Sequence, residues 1–209
     1  MVCVVLLLSV SCQYSALFDE GESTPRGSVL FQDDFSDVSS GWIQDYNANG
    51  LTNYLDSGFR ITLTSPNWLM WSVPHLQFND VRIEVDATKM SGPDNNNHGI
   101  ICRYIDEGHF YYFTISSDGY YGIAKFIAGK GTLLNMQTMQ YSQAINQGES
   151  TNHLSVECVG ESLKLSVNGE ELVRVIDGEY RAGEVGLIAS TYDEPGTDIL
   201  FDNFSVLKP

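Results

Sequence analysis

Between His98 and Phe126 the sequence reads HGIICRYIDEGHFYYFTISSDGYYGIAKF, three runs of β-branched and aromatic residues broken only by Asp106-Glu107-Gly108 and Ser117-Asp118-Gly119. Both breaks end in glycine, which takes the positive φ of a tight turn without steric cost, so the stretch predicts three antiparallel strands in succession. Pairing inward from the turns sets Arg103 beside Tyr112 and Thr114 beside Tyr121. Alternation then divides the side chains between two faces. Ile100, Cys102, Tyr104, Tyr111, Phe113, Ile115, Tyr120, Gly122 and Ala124 form an apolar face suited to a core. Ile101, Arg103, Ile105, Phe110, Tyr112, Thr114, Tyr121, Ile123 and Lys125 form the other. On that mixed face Arg103, Tyr112, Tyr121 and Lys125 are the expected ligand-binding residues: rings to stack on a ligand and cations to donate hydrogen bonds. Asn95, Asn96, Asn97 and Asp118 are expected on loops at its rim.

The rest of the chain continues in strands. Val81, Ile83, Val85 and Ala87 alternate with Arg82, Glu84, Asp86 and Thr88, the pattern of a half-solvated strand. Asn168-Gly169 between LKLSV and EELVRV is a hairpin signal. No segment carries a capped apolar period of 3.6 over ten residues. About a dozen short strands without helices predict an all-β antiparallel sandwich of jelly-roll type over residues 29–209. FQDDFS (31–36) and LFDNFS (200–205) echo each other and are read as first and last strands lying together. That pairing would bring Asp33, Asp34, Asp202 and Asn203 close, an oxygen set suited to a structural calcium; no other cofactor is expected.

At the N-terminus VCVVLLLSVSC is apolar but shorter than the roughly 20 residues that cross a bilayer. It has the length of a secretion signal's apolar segment, and Ser9-Val10-Ser11-Cys12 resembles a bacterial lipoprotein cleavage box, with Cys12 as the lipidated residue. Residues 1–12 are thus read as signal and 13–28, polar with Pro25 and Gly27, as a flexible linker. The expected location is the outer face of a bacterial membrane, reached only through the lipid. Of the four cysteines, Cys102 and Cys158 then remain as an inward-facing pair, either disulfide-bonded or two buried thiols. The net charge is −16, from 27 acidic and 11 basic residues, which disfavours nucleic acid and anionic membrane surfaces as partners.

The order of features carries a resemblance. FQDDF, Ser40-Gly41-Trp42, VRIEVDATK, the GIICRY…FYYFTIS…GYYGIAKF block, NHLSVEC…LKLSVNGEEL, GEVGLIA and FDNFSV together resemble the concanavalin A-like lectin/glucanase superfamily. The nearest kind is similar to the jelly-roll domain of exported bacterial lipoproteins of the 3-keto-disaccharide hydrolase family. The resemblance implies a jelly roll and either sugar binding or hydrolysis of 3-keto glycosides. The laminarinase-type motif Glu-x-Asp-x-x-Glu is matched at Glu84 and Asp86, but Lys89 takes the last position, and an ammonium with a pKa near ~10 is no acid for a glycosidic oxygen. No other catalytic set is present. The expected function is therefore a non-catalytic, carbohydrate-binding surface module. A 3-keto-glycoside hydrolase and a structural envelope interaction domain are the alternatives.

Overall fold

The computed structural model describes residues 24–134 and 136–209. The signal segment 1–12 with Cys12, and residues 13–23 of the linker, lie outside the described residues. Seventeen strands are formed: β1 (Val29–Asp33), β2 (Asp45–Asn47), β3 (Gly50–Leu55), β4 (Gly58–Leu63), β5 (Leu69–Ser72), β6 (Gln77–Phe78), β7 (Val81–Ser91), β8 (Asn97–Asp106), β9 (His109–Ser116), β10 (Tyr120–Ile127), β11 (Lys130–Leu133), β12 (Gln140–Tyr141), β13 (Thr151–Val159), β14 (Ser162–Val167), β15 (Glu170–Ile176), β16 (Gly183–Ser190) and β17 (Thr197–Leu207). They make two antiparallel sheets. One runs β15-β14-β13-β7-β17-β4-β3-β2, with β1 also on β17; the other runs β11-β10-β9-β8-β16-β5, with β12 on β10 and β6 on β16. This is the all-β jelly-roll sandwich expected from the strand pattern.

The first and last strands pair as the echo suggested, with Phe31 opposite Val206 and Asp33 opposite Phe204. The hairpin at Asn168-Gly169 is formed, both residues at positive φ. Between the sheets lies one large core. Ile83, Val85 and Ala87 of β7, Ile100 of β8, Phe113 of β9, Leu154 and Val156 of β13 and Phe201 of β17 are all fully buried in it. Cys102 on β8 and Cys158 on β13 are joined by a disulfide across this core, tying one sheet to the other. Of the two readings of this pair, the bonded one holds, and its two strands face each other from opposite sheets.

Two features of the β8–β9–β10 unit differ from the sequence reading. Thr114 pairs with Gly122, not Tyr121, a slip of one residue that turns every β10 side chain to the other face. The cause is the turn. Ser116 Oγ bonds the Asp118 carboxylate and accepts from Tyr120 N at 3.3 Å, closing a three-residue loop, Ser117-Asp118-Gly119, one residue wider than the expected pairing implies. Tyr112 pairs with Ile101, because β8 is bulged between Cys102 and Asp106. At the bulge Arg103 has φ 56°, left-handed backbone. Arg103 thereby turns inward and Tyr104 outward.

Candidate functional site

The four residues expected to bind ligand are not brought together. Arg103 is buried, 1% exposed. Its Nη1 donates to the carbonyls of Gly160 (2.9 Å) and Tyr180 (2.8 Å), and its Nη2 lies 3.3 Å from Asp80. Burial lowers its pKa, opposed by Asp80. It fastens one end of the sandwich. Tyr121 points between the sheets and donates to the carbonyl of Leu172 at 3.2 Å. Lys125 is also inward and bonds Asp177 at 2.8 Å and Glu179 at 2.6 Å. Burial pushes its ammonium down, but those two carboxylates outweigh burial and the pKa is raised. Only Tyr112 stays on the outer face. It reaches across β10 to the backbone of Gly131, and burial pushes its phenol up to about 12.

The outer face of the eight-stranded sheet nonetheless carries an apolar cluster of its own. Ile101, Phe110 and Ile188 form a small second core on it, and Leu69, Trp71, Tyr104, Tyr112 and Phe126 pack over them, partly exposed. Phe110 is the hub. Phe126 stacks on it at 4.7 Å and 16°, with Tyr104 and Trp71 each at 5.6 Å. This makes a pavement of aromatic rings that no described element covers completely. Elsewhere on the sheet Leu133, Met136 and Met139 lie over Gly122 and cover that part of the face.

The open end of this pavement runs into a groove of about 370 Å³ between the edge strands of the two sheets. Trp68, Leu69, Met70, Trp71, Tyr104 and Glu107 line one side; Ile43, Gln44, Asp45 and Asn47, from the segment around β2, line the other. Trp68 is held by two bonds to Thr191: its N–H donates to Oγ1 at 3.1 Å, and its carbonyl accepts from Thr191 N at 2.9 Å. Rings beside amide and carboxylate side chains are the equipment of a site for a ligand with apolar C–H faces and polar rims. The residue pattern placed Phe110 on this face but did not point to Gln44, Asp45, Asn47, Tyr104, Glu107 or Phe126. Tyr104 was assigned to the core because the bulge at Arg103 leaves no mark in the residue pattern. Among the expected rim residues, Asn96 and Asn97 anchor the 192–194 segment: Asn96 accepts from Tyr192 N (2.9 Å) and donates to Glu194 O (3.1 Å), and Asn97 donates to Tyr192 Oη at 2.8 Å. Asp118 is engaged with Ser116 in the turn.

Of the oxygen set expected for calcium, Asp33, Asp34 and Asn203 line one pocket, and Asp202 is not among its lining residues. Asp33 is buried and accepts from Phe35 N (2.7 Å), Ser40 Oγ (2.5 Å) and Trp42 Nε1 (2.9 Å). Asp34 caps Ser36, Asp202 accepts from Asn203 N, and the Asn203 amide donates to Asp86 at 2.9 Å. Among the described residues no group of three or more His, Cys, Asp or Glu is placed to hold a metal. Glu84 and Asp86 lie on the outer face of the nine-stranded sheet, Glu84 with Arg82 at 3.0 Å and Asp86 with His153 at 2.8 Å. Lys89 points the other way, 5% exposed and paired with Asp94. The glucanase arrangement is therefore absent in space as well as in sequence.

No protein-family model matches the chain, and no curated protein matches its sequence. Solved structures do. The carbohydrate-binding module CBM66 from Bacillus subtilis superposes with a TM-score of 0.65 at 17% identity, covering 80% of this chain and 95% of that one. A Bacillus subtilis protein of unknown function with a galectin-like fold gives 0.66 at 10% identity, covering 88% and 97%. The Bacteroides ovatus mixed linkage glucan PUL GH16, in complex with a G4G4G3G product, gives 0.60 at 10% identity, covering 86% and 100%. At these identities the likeness establishes the fold alone, an antiparallel jelly-roll sandwich.

Proposed function

We propose that this chain is a lectin-like module that holds a glycan on the outer face of its eight-stranded sheet, with the groove at Trp68, Trp71 and Tyr104 as the centre of binding. The observation that carries this reading is the open ring pavement running into a groove edged by Gln44, Asp45, Asn47 and Glu107. Sugars present C–H faces that stack on rings and hydroxyls that bond amides and carboxylates, and this surface supplies both. The reading is supported by the sandwich fold, shared with a carbohydrate-binding module and with a GH16 protein in complex with a product. We infer further that the module is exported and tethered through Cys12, on the strength of the signal-like N-terminus.

A glycan array followed by affinity electrophoresis tests the function. Wild-type protein is expected to be retarded by at least one polysaccharide, and Trp71→Ala to lose most of that retardation with the fold intact by circular dichroism. Failure of every glycan to bind, or undiminished binding by Trp71→Ala, overturns the proposal. Turnover of a 3-keto disaccharide in the same panel would replace it with the hydrolase reading. For the tether, metabolic labelling with a palmitate analogue is expected to mark the wild type and not Cys12→Ala; labelling of both rejects it.

A further inference from the structure

The charges around the groove are all of one sign. Asp45 and Glu107 line it, and no Lys, Arg or His does. Asp45 accepts one hydrogen bond, from Asn47 at 2.7 Å, and Glu107 has no ion-pair partner among the described residues. Directly beside Tyr104 in the sheet register stands Glu184. Its Oε2 is buried with no hydrogen-bond donor among the described residues, and His75 Nδ1 lies 3.4 Å from it. Glu107 and Glu184 are close enough to be felt at the ring: burial raises the Tyr104 phenol, a hydrogen bond with Trp71 opposes it, and Glu107, Glu184 and Asp106 raise it further. Two tryptophans and a tyrosine stand among them. Indole and phenol faces carry negative quadrupole potential, so rings and carboxylates together attract a cation and repel an anion.

We propose that the groove selects glycans bearing a free amine, the ammonium seated against Trp68, Trp71 and Tyr104 with Asp45 and Glu107 as counter-charges, and that it excludes uronate and sulfated glycans. This rests on the glycan-binding reading above and narrows its ligand. A neutral sugar would gain stacking and hydrogen bonds but no ion pair. A uronate would bring a third negative charge to two that have no cation to spare. An amino sugar gains stacking, cation–π attraction and an ion pair.

The test compares short oligomers of glucosamine with N-acetylglucosamine oligomers of equal length and with an oligouronate, by calorimetry at low and high salt. The glucosamine oligomer is expected to bind about tenfold tighter than its acetylated counterpart at low salt, with the gap narrowing as salt screens it, and the oligouronate not at all. Glu107→Gln and Asp45→Asn should each narrow the gap severalfold, weakening the glucosamine oligomer more than the acetylated one. A chain of charge −16 attracts polycations anywhere on its surface, so Trp71→Ala is the control. A preference that survives Trp71→Ala is bulk charge and overturns the inference. Equal binding of the two oligomers also overturns it while glycan binding stands. Binding of no glycan removes both.

Discussion

His98 lies between the sheets at 1% exposure, and neither ring nitrogen has a hydrogen-bond partner among the described residues. Burial, and then the Lys89 ammonium, depress its pKa from 6.5 to about 4. The unfolded chain binds this proton more readily than the folded one, so the contribution to stability is complete above pH 6.5 and lost as pH falls through 4. The window is worth on the order of 3 kcal/mol. His98→Leu removes the group that must charge, and its urea midpoint should fall less than the wild type's between pH 7 and pH 4.5; parallel curves would refute the assignment. Arg103 makes the opposite case, a buried charge that the fold does satisfy. Arg103→Met deletes its bonds to the Gly160 and Tyr180 carbonyls and should cost about 2–4 kcal/mol in chemical denaturation. Glycan binding should not change, because the guanidinium faces away from the groove; a variant that folds normally but loses affinity would return Arg103 to the binding site.

At the scale of the strand, closeness of backbones decides what a side chain is allowed to be. Gly99 sits in β8 opposite Thr114, and a Cβ there would overlap the Phe113 carbonyl. Gly99→Ala should force β8 and β9 apart and cost more than about 2 kcal/mol, read as a lowered melting midpoint; an unchanged midpoint would show that the strands can shift freely. Strand existence was legible in the chain because period-2 alternation and glycine turns are local signals. The Asn168-Gly169 hairpin and the solvated row Arg82, Glu84, Asp86 were read from such signals alone. Register was not legible in the same way. A bulge at a non-glycine residue, Arg103, and a turn widened by the hydroxyl of Ser116 depend on contacts that residue types do not announce. Those two local events moved Tyr121 and Lys125 off the outer face and Tyr104 onto it. The expected site therefore lay on the right sheet face with mostly the wrong occupants. The groove was harder still, since Asp45, Trp71 and Glu107 meet only where the edges of two sheets approach.

For the whole molecule the governing fact is that two sheets share one core and are joined covalently at one point. The Cys102–Cys158 bond closes a span of 56 residues that includes β9 to β12, the strands bearing Tyr112, Phe110 and Phe126. By loop-closure entropy such a link stabilises by about 4 kcal/mol through its effect on the unfolded chain. The jelly roll has mostly long-range strand pairs, β17 lying between β7 and β4 and beside β1, so the unfolded chain has much conformational freedom to lose before those pairs form. A crosslink that shortens this search matters more here than it would among neighbouring strands. Cys102→Ala/Cys158→Ala should therefore lower the midpoint of urea unfolding by several kcal/mol equivalents while leaving the groove's ligand preference intact once folded, since neither cysteine approaches Trp71 or Tyr104 on the outer face. Unfolding with and without reductant is the companion measurement: the wild type should lose stability on reduction and the double variant should not respond. A wild type indifferent to reductant would mean that the two sheets hold together by apolar contact alone, and that the pairing of Cys102 with Cys158 adds nothing to it.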